Sequence, residues 1–265
     1  MPPPPVLFIH GAWMTPDCWD PFRSFFEARG YRTHAPGWPG KEGGAEAVRR
    51  DPDVLAGLGG KRIVDHYAEA IAALPEPPVL VGHSFGGLFV QVLLDRGLGA
   101  AGVAVHSAAP RGVPVTQPSA VRAVAGILAR PANRSRAVPL PLPRFRRDFA
   151  HTLSQEQAVA AHERYVTPET GRIFFESALA PLTSRRRSPF TVDFAKADRA
   201  PLLLVGGGQD RIVPASLNRA NHRRYRSGTV DYAEFAERTH WTIAQDGWED
   251  VAAHITGWIE RHVRP

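Results

Sequence analysis

Short apolar runs alternate along most of this chain with segments of helical periodicity. Residues 5–9 (Pro-Val-Leu-Phe-Ile), closed by His10-Gly11, predict a buried strand ending in a turn. Trp19, Phe22, Phe25 and Phe26 then recur at helical spacing, with Asp17 placed to cap the helix and Gly30 to stop it. Tyr31 to Ala35 predicts a second short strand and Pro36 to Gly40 a turn. Lys41 to Gly60, rich in Gly and Asp-Pro, reads as an irregular surface excursion. The alternation then continues: a helix over Lys61 to Leu74, ended by Pro75; a strand over Val79 to Gly82; a helix over Ser84 to Arg96; a strand over Ala101 to His106. Strands that are apolar throughout and alternate with helices predict an α/β fold with a mainly parallel sheet and helices on both faces.

Between Pro110 and Pro189 the strand signal vanishes and arginines and prolines concentrate. Helix marks persist. Ser119 to Ala129 is periodic, Ser154 and Gln157 form a capping-box pattern for a helix over Ser154 to Val166, and Pro168 suits the first position of a helix over Thr167 to Leu182. Pro139, Pro141 and Pro143 read as a stiff connector. The alternation resumes with a strand over Pro201 to Val205, a helix near Ala215 to Tyr225, a strand near Thr229 to Phe235 and a helix over Trp248 to His262. The expected organisation is one domain, with residues 1–110 and 190–265 forming the core and 111–189 inserted as a helical cap.

Gly82-His83-Ser84-Phe85-Gly86 matches G-x-S-x-G between a predicted strand and a predicted helix, the context that makes the pattern a nucleophile elbow. A serine hydroxyl needs an adjacent base, and the base an orienting acid. Asp210 lies in the glycine-rich loop after the strand ending at Val205, the same sheet edge as Ser84, and His240 follows the next strand. The order Ser, Asp, His suits this elbow. Asp193 and Asp198 precede that strand, and nothing acidic follows the strand ending at His106. His83 is expected to pack or hydrogen-bond. The backbone N–H groups of Phe85 and Ala12 are the expected oxyanion donors, the second from the His10-Gly11-Ala12-Trp13 turn. Trp13, Phe85 and Trp241, close to these residues in sequence, suggest a site for an apolar group, with Trp13 and Trp241 as substrate-binding residues.

Through His10 to Trp13, Gly82 to Gly87, the Gly208 to Pro214 loop and Thr239-His240, the sequence resembles the α/β-hydrolase superfamily, along the whole chain except the insertion. The His-Gly-Ala-Trp turn is similar to that of small methyl, aryl and lactone esterases. The resemblance implies a serine hydrolase that cleaves a carboxylic ester, lactone or thioester. Dehalogenases and epoxide hydrolases of this superfamily use an aspartate where Ser84 stands. The related hydroxynitrile lyases carry threonine and lysine where this chain has Gly11 and Trp241. Cofactor-free perhydrolases and thioesterases share the triad, and some superfamily members are ligand receptors without turnover, so these are the alternatives.

Composition changes this picture little. The chain has 32 Lys plus Arg against 26 Asp plus Glu, and arginine dominates because lysine occurs only at Lys41, Lys61 and Lys196. Codon bias is a sufficient source for so modest an excess, and no aromatic-interleaved basic helix or zinc-ligand spacing is present, so neither a nucleic-acid nor a membrane partner is expected. Arg144, Arg146, Arg147 and Arg185 to Arg187 are expected to face water, an acidic substrate being the alternative. No cofactor or metal is expected. With one cysteine, Cys18, no intrachain disulfide can form. Met1 to Pro5 carries no basic cluster, and the run Val6 to Ile9 is too short for a signal-peptide core, so the expected location is cytoplasmic.

Overall fold

The computed structural model describes residues 3–263; Met1 and Pro2, part of the N-terminal stretch considered above, lie outside the described residues, as do Arg264 and Pro265. In chain order the elements are β1 (Val6–Ile9), α1 (Asp20–Glu27), β2 (Thr33–His34), α2 (Gly44–Arg50), α3 (Gly60–Ala72), β3 (Val79–His83), α4 (Phe85–Asp95) and β4 (Ala101–Val105). Then follow α5 (Pro118–Leu128), β5 (Ala137–Val138), α6 (Leu142–Asp148), α7 (Gln155–Tyr165), β6 (Glu169–Thr170) and α8 (Arg172–Leu179). The chain closes with β7 (Leu202–Gly207), α9 (Ala215–His222), β8 (Val230–Phe235) and α10 (Trp248–His262).

Six strands form one sheet in the order β2-β1-β3-β4-β7-β8, every pairing parallel. Every residue of β1, β3, β4 and β7 is buried, which is why these strands read as unbroken apolar runs: both of their faces are covered. β4 and β7 are neighbours in the sheet although 96 residues separate Val105 from Leu202 in sequence, so the segment carrying α5 to α8 leaves and re-enters at one point. Parallel strands bring their C-terminal ends to one edge, and the loops after β1, β3, β4 and β7 meet there. No helix among the described residues is long and apolar enough to cross a membrane.

Four local expectations are corrected. Asp17 does not cap α1: Pro16–Trp19 form a 3-10 turn ahead of it, and Asp17 accepts a hydrogen bond from Thr15 Oγ1 at 3.2 Å. Lys41 to Gly60 is not an irregular surface loop, because it contains α2 and a 3-10 turn at Pro52–Leu55 and buries Lys41, Ala45, Val48, Leu55 and Leu58. Its Gly and Asp-Pro residues punctuate short helices instead of abolishing them. Pro168 starts no helix: Glu169 and Thr170 are drawn into β6, antiparallel to β5, and helix begins only at Arg172. The proline cluster leads into a helix, α6, with Pro143 in its first turn. The capping box at Ser154 forms as expected, with Gln157 N donating to Ser154 Oγ at 3.2 Å and Ser154 N to Gln157 Oε1 at 2.9 Å.

Candidate active site

β3 ends at His83 and α4 begins at Phe85, leaving one residue, Ser84, to make the turn. Its backbone sits at φ 57°, ψ −118°, a conformation disfavoured for any side chain. The chains crowd here. A Cβ on Gly86 would collide with the carbonyl of Ile9 in β1, and one on Gly82 with the carbonyl of Gly86. Glycine at both positions is the local reason the elbow can form.

His240, in the loop after β8, sets Nε2 3.1 Å from Ser84 Oγ, and its Nδ1 lies 2.7 Å from Asp210 Oδ2. An ionised carboxylate only accepts, so His240 Nδ1 carries a proton toward Asp210 and Nε2 is the nitrogen that faces the serine. Asp210 Oδ1 accepts the amides of Ile212 at 2.8 Å and Val213 at 2.7 Å, which fixes the carboxylate. Burial pushes the Asp210 carboxyl up, yet the His240 and His106 imidazoles outweigh it and hold it well below the usual carboxylate range. Thus the three residues nominated from sequence are brought together, all buried.

A fourth member escaped sequence reasoning. His106, the residue after β4, places Nδ1 2.8 Å from the same Asp210 Oδ2, so one carboxylate oxygen accepts from two imidazoles. Because β4 and β7 are neighbours, the residue after β4 falls beside the loop after β7. A Cβ on Gly207 would strike the His106 ring, so that glycine makes the room. Among the described residues His106, Asp210 and His240 are also the one group whose donor atoms could surround a metal. Separations of 2.7 and 2.8 Å to a single oxygen are those of two hydrogen bonds, each gap holding a proton. His83 hydrogen-bonds the His240 carbonyl through Nε2 at 2.9 Å, steadying the loop that carries His240.

The amides of Ala12 and Phe85 have no acceptor among the described residues. That leaves both donors free beside Ser84. The next amide along, Trp13 N, is instead committed to Glu169 Oε2 at 3.0 Å. Glu169 also accepts from Lys41 Nζ at 2.6 Å, and Lys41 Nζ donates to the Met14 carbonyl at 2.8 Å. Lys41 and Glu169 are fully buried. Burial pushes the Glu169 carboxyl up and the Lys41 ammonium down, each opposed by the partner's charge. This ion pair joins the segment after β2 to β6 and clamps the turn after β1 from both sides.

Ser84 and His240 lie in the wall of a cavity of about 450 Å³, together with Ala12, Trp13, Phe85 and Phe149. The rest of the wall is mostly aliphatic and comes from the loop after β4, from α5 and α8, and from Ile212 to Leu217. Trp13 stacks on Phe174 with centroids 4.6 Å apart, and Phe149 meets the His240 ring edge-on at 4.9 Å. Asp148 also lines the cavity, and Arg147 and Arg144 compensate its charge.

The model of the alpha/beta hydrolase family matches residues 6–254. The chain belongs to the α/β-hydrolase family. Among solved structures, this α/β hydrolase is similar to a pyrethroid hydrolase from Sphingobium faniae JZ-2 at 19% identity, over 97% of each chain, with a TM-score of 0.69. It is also similar to the methylesterase MES16 from Arabidopsis at 13% identity, over 96% of this chain and 98% of that one, TM-score 0.67. A monoacylglycerol lipase from Paleococcus ferrophilus aligns at 18% identity, over 98% of this chain and 96% of that one, TM-score 0.64. No curated protein sequence matches the chain.

One nominated residue of this α/β hydrolase is placed elsewhere. Trp241 does not line the cavity beside Ser84. Its ring packs on Phe145 and Tyr165, with centroids 5.4 Å away in both cases, and borders a smaller depression next to Trp248. The turn after His240 carries successive side chains apart: His240 faces β3 and Trp241 faces α6 and α7. Phe149, at the C-terminal end of α6, takes the place beside the histidine that Trp241 was expected to fill.

Proposed function

We propose that this α/β hydrolase cleaves carboxylic esters, lactones and thioesters included, of small and largely apolar substrates through an acyl-enzyme. The observation that carries the reading is the buried chain of contacts from Ser84 Oγ through His240 to Asp210 in the wall of an apolar cavity. In this mechanism His240 Nε2 removes the Ser84 proton as Oγ attacks the carbonyl carbon. Asp210 holds the imidazole in the required tautomer and stabilises its charge. The Ala12 and Phe85 amides receive the developing oxyanion. Collapse of the tetrahedral intermediate expels the alcohol or thiol, protonated by His240, and water activated by the same nitrogen releases the acid. Each proton transfer is accounted for by groups of the chain and by water.

Residues 111–189 serve as a cap in this reading, because the cavity lies between them and the sheet edge. Its aliphatic walls favour an apolar acyl or alcohol group. Arg144 does not provide a free cation for an acidic substrate: it donates to the Ala123 carbonyl, approaches Asp148 and lies 5.3 Å from the centre of the Trp13 ring. Family membership supports hydrolysis as the reaction class, and a methylesterase and a monoacylglycerol lipase among the similar structures favour an ester as the bond cleaved. The test is hydrolysis of short and medium-chain aryl esters by wild type and Ser84→Ala. We expect kcat/KM to fall by about three orders of magnitude or more in the variant. Comparable rates in the two proteins would refute the mechanism.

A further inference from the structure

We propose that the mouth of the cavity is a docking surface for an anionic lipid layer. Five large hydrophobic side chains are strongly exposed among the described residues, and four of them belong to the cap: Val115 at 46%, Val121 at 50%, Leu179 at 45% and Leu182 at 86%. They lie on two stretches, 111–128 and 177–189. Val115, Val121, Ala178 and Pro181 are both exposed and part of the cavity wall, which locates the mouth between these stretches. The stretches are in contact, since α5 packs on α8. Arg111, also in the cavity wall, donates from Nε to the Thr183 carbonyl at 2.7 Å, tying the turn that carries Arg185, Arg186 and Arg187 to the same place.

Charge makes this apolar rim specific. The two stretches contain five arginines (Arg111, Arg122, Arg185, Arg186 and Arg187) and no aspartate or glutamate. Among the described residues none of the five has a carboxylate within ion-pair distance. Residues 111–189 as a whole hold 13 arginines against five acidic residues, whereas the rest of the chain holds 19 basic against 21 acidic. Codon bias acts on the whole chain, so it does not explain a surplus confined to the cap. The proposal therefore departs from the whole-chain expectation of no membrane partner.

Apolar side chains ringed by arginine suit a surface that offers hydrocarbon beneath anionic headgroups. A polyanion such as RNA would leave the exposed valines and leucines unsatisfied. Neither stretch contains an aromatic residue on which a base could stack. Docked in this way, the mouth opens onto the layer, and an ester with an acyl chain passes from lipid to cavity without crossing water. That last step rests on the proposed hydrolysis; the docking itself does not.

The experiment is vesicle flotation with the Ser84→Ala protein, chosen to keep lipid hydrolysis from altering the vesicles, using phosphatidylcholine vesicles with and without phosphatidylglycerol. Binding is expected on the anionic vesicles, to be released by high salt and absent on the neutral ones. Arg185→Ala, Arg186→Ala and Arg187→Ala combined should weaken it by about 100-fold, at about fivefold per arginine. Leu182→Ser should weaken it further. In the Ser84-containing protein the triple arginine variant should hydrolyse a short soluble aryl ester as fast as wild type. Equal binding to both vesicle types, no binding to either, or binding to RNA in preference to anionic vesicles would overturn the proposal. Vesicle binding with no ester turnover by wild type would leave docking standing and remove the hydrolase reading; turnover without binding would do the reverse.

Discussion

Trp13, Ser84 and His106 are the non-glycine residues at positive φ among those described, at 64°, 57° and 47°, and all three lie at the C-terminal edge of the sheet. Such backbones cost energy and persist where the surroundings over-determine them. For Ser84 the strain was legible from G-x-S-x-G; for His106 nothing local announced it, because its partnership with Asp210 depends on β4 and β7 being neighbours. His106→Asn, which tolerates positive φ but withdraws the ring, should cost about 1.5–3 kcal/mol of stability in urea unfolding through the lost bond to a buried carboxylate. Unchanged stability would show that Asp210 does not depend on it. The Lys41–Glu169 pair was equally hidden, since only the fold brings residues so far apart in sequence into contact. Lys41→Met alone should cost about 3–5 kcal/mol by leaving a buried carboxylate unpaired, and adding Glu169→Gln should recover part of the loss. Additive losses in that double-mutant cycle would mean the two side chains are not coupled.

Elements followed the hydrophobic pattern where a whole strand or helix face was buried, and failed where a few tertiary contacts decided. Helix α10 spans the residues its periodicity predicts, because one face carrying Val251, Ile255, Trp258 and Ile259 is buried. The stretch before α8 read as helix by local signals, yet Glu169 is held by Lys41 and Trp13, and those bonds keep it extended. Adjacency to His240 points to Trp241 as a lining residue, but adjacency on a turn does not fix direction, and the packing of α6 and α7 does. The elbow is the element most exposed to a single change. Gly86→Ala places a methyl group against the backbone of β1, which cannot give way as a flexible side chain would. We expect a loss of about 4 kcal/mol or more, seen as insoluble expression or a collapsed unfolding midpoint. A soluble, fully stable variant would mean that β1 and α4 can separate here.

For the whole molecule, pH is the most telling variable. Burial pushes the imidazoles of His10, His83 and His106 below their ordinary value of 6.5, with the nearby charges of Lys41 acting on His10 and of His240 on His83 and His106 in the same direction, and the Asp210 contact opposing at His106. Their folded pKa values therefore lie below the unfolded ones. As pH falls through 6.5 the unfolded chain takes up protons that the folded chain refuses, so stability is complete above that point and declines below it. Three histidines together give a slope approaching about 4 kcal/mol per pH unit. Denaturant titrations between pH 7.5 and 5 should show the decline; a flat profile would mean that these histidines are protonated equally in both states. The proposed chemistry depends on Ser84, and the most direct measurement is labelling with a serine-reactive fluorophosphonate followed by peptide mass spectrometry. One adduct is expected, on Ser84, forming much more slowly in His240→Ala. No adduct, or an adduct on another residue that His240→Ala leaves unchanged, would contradict it.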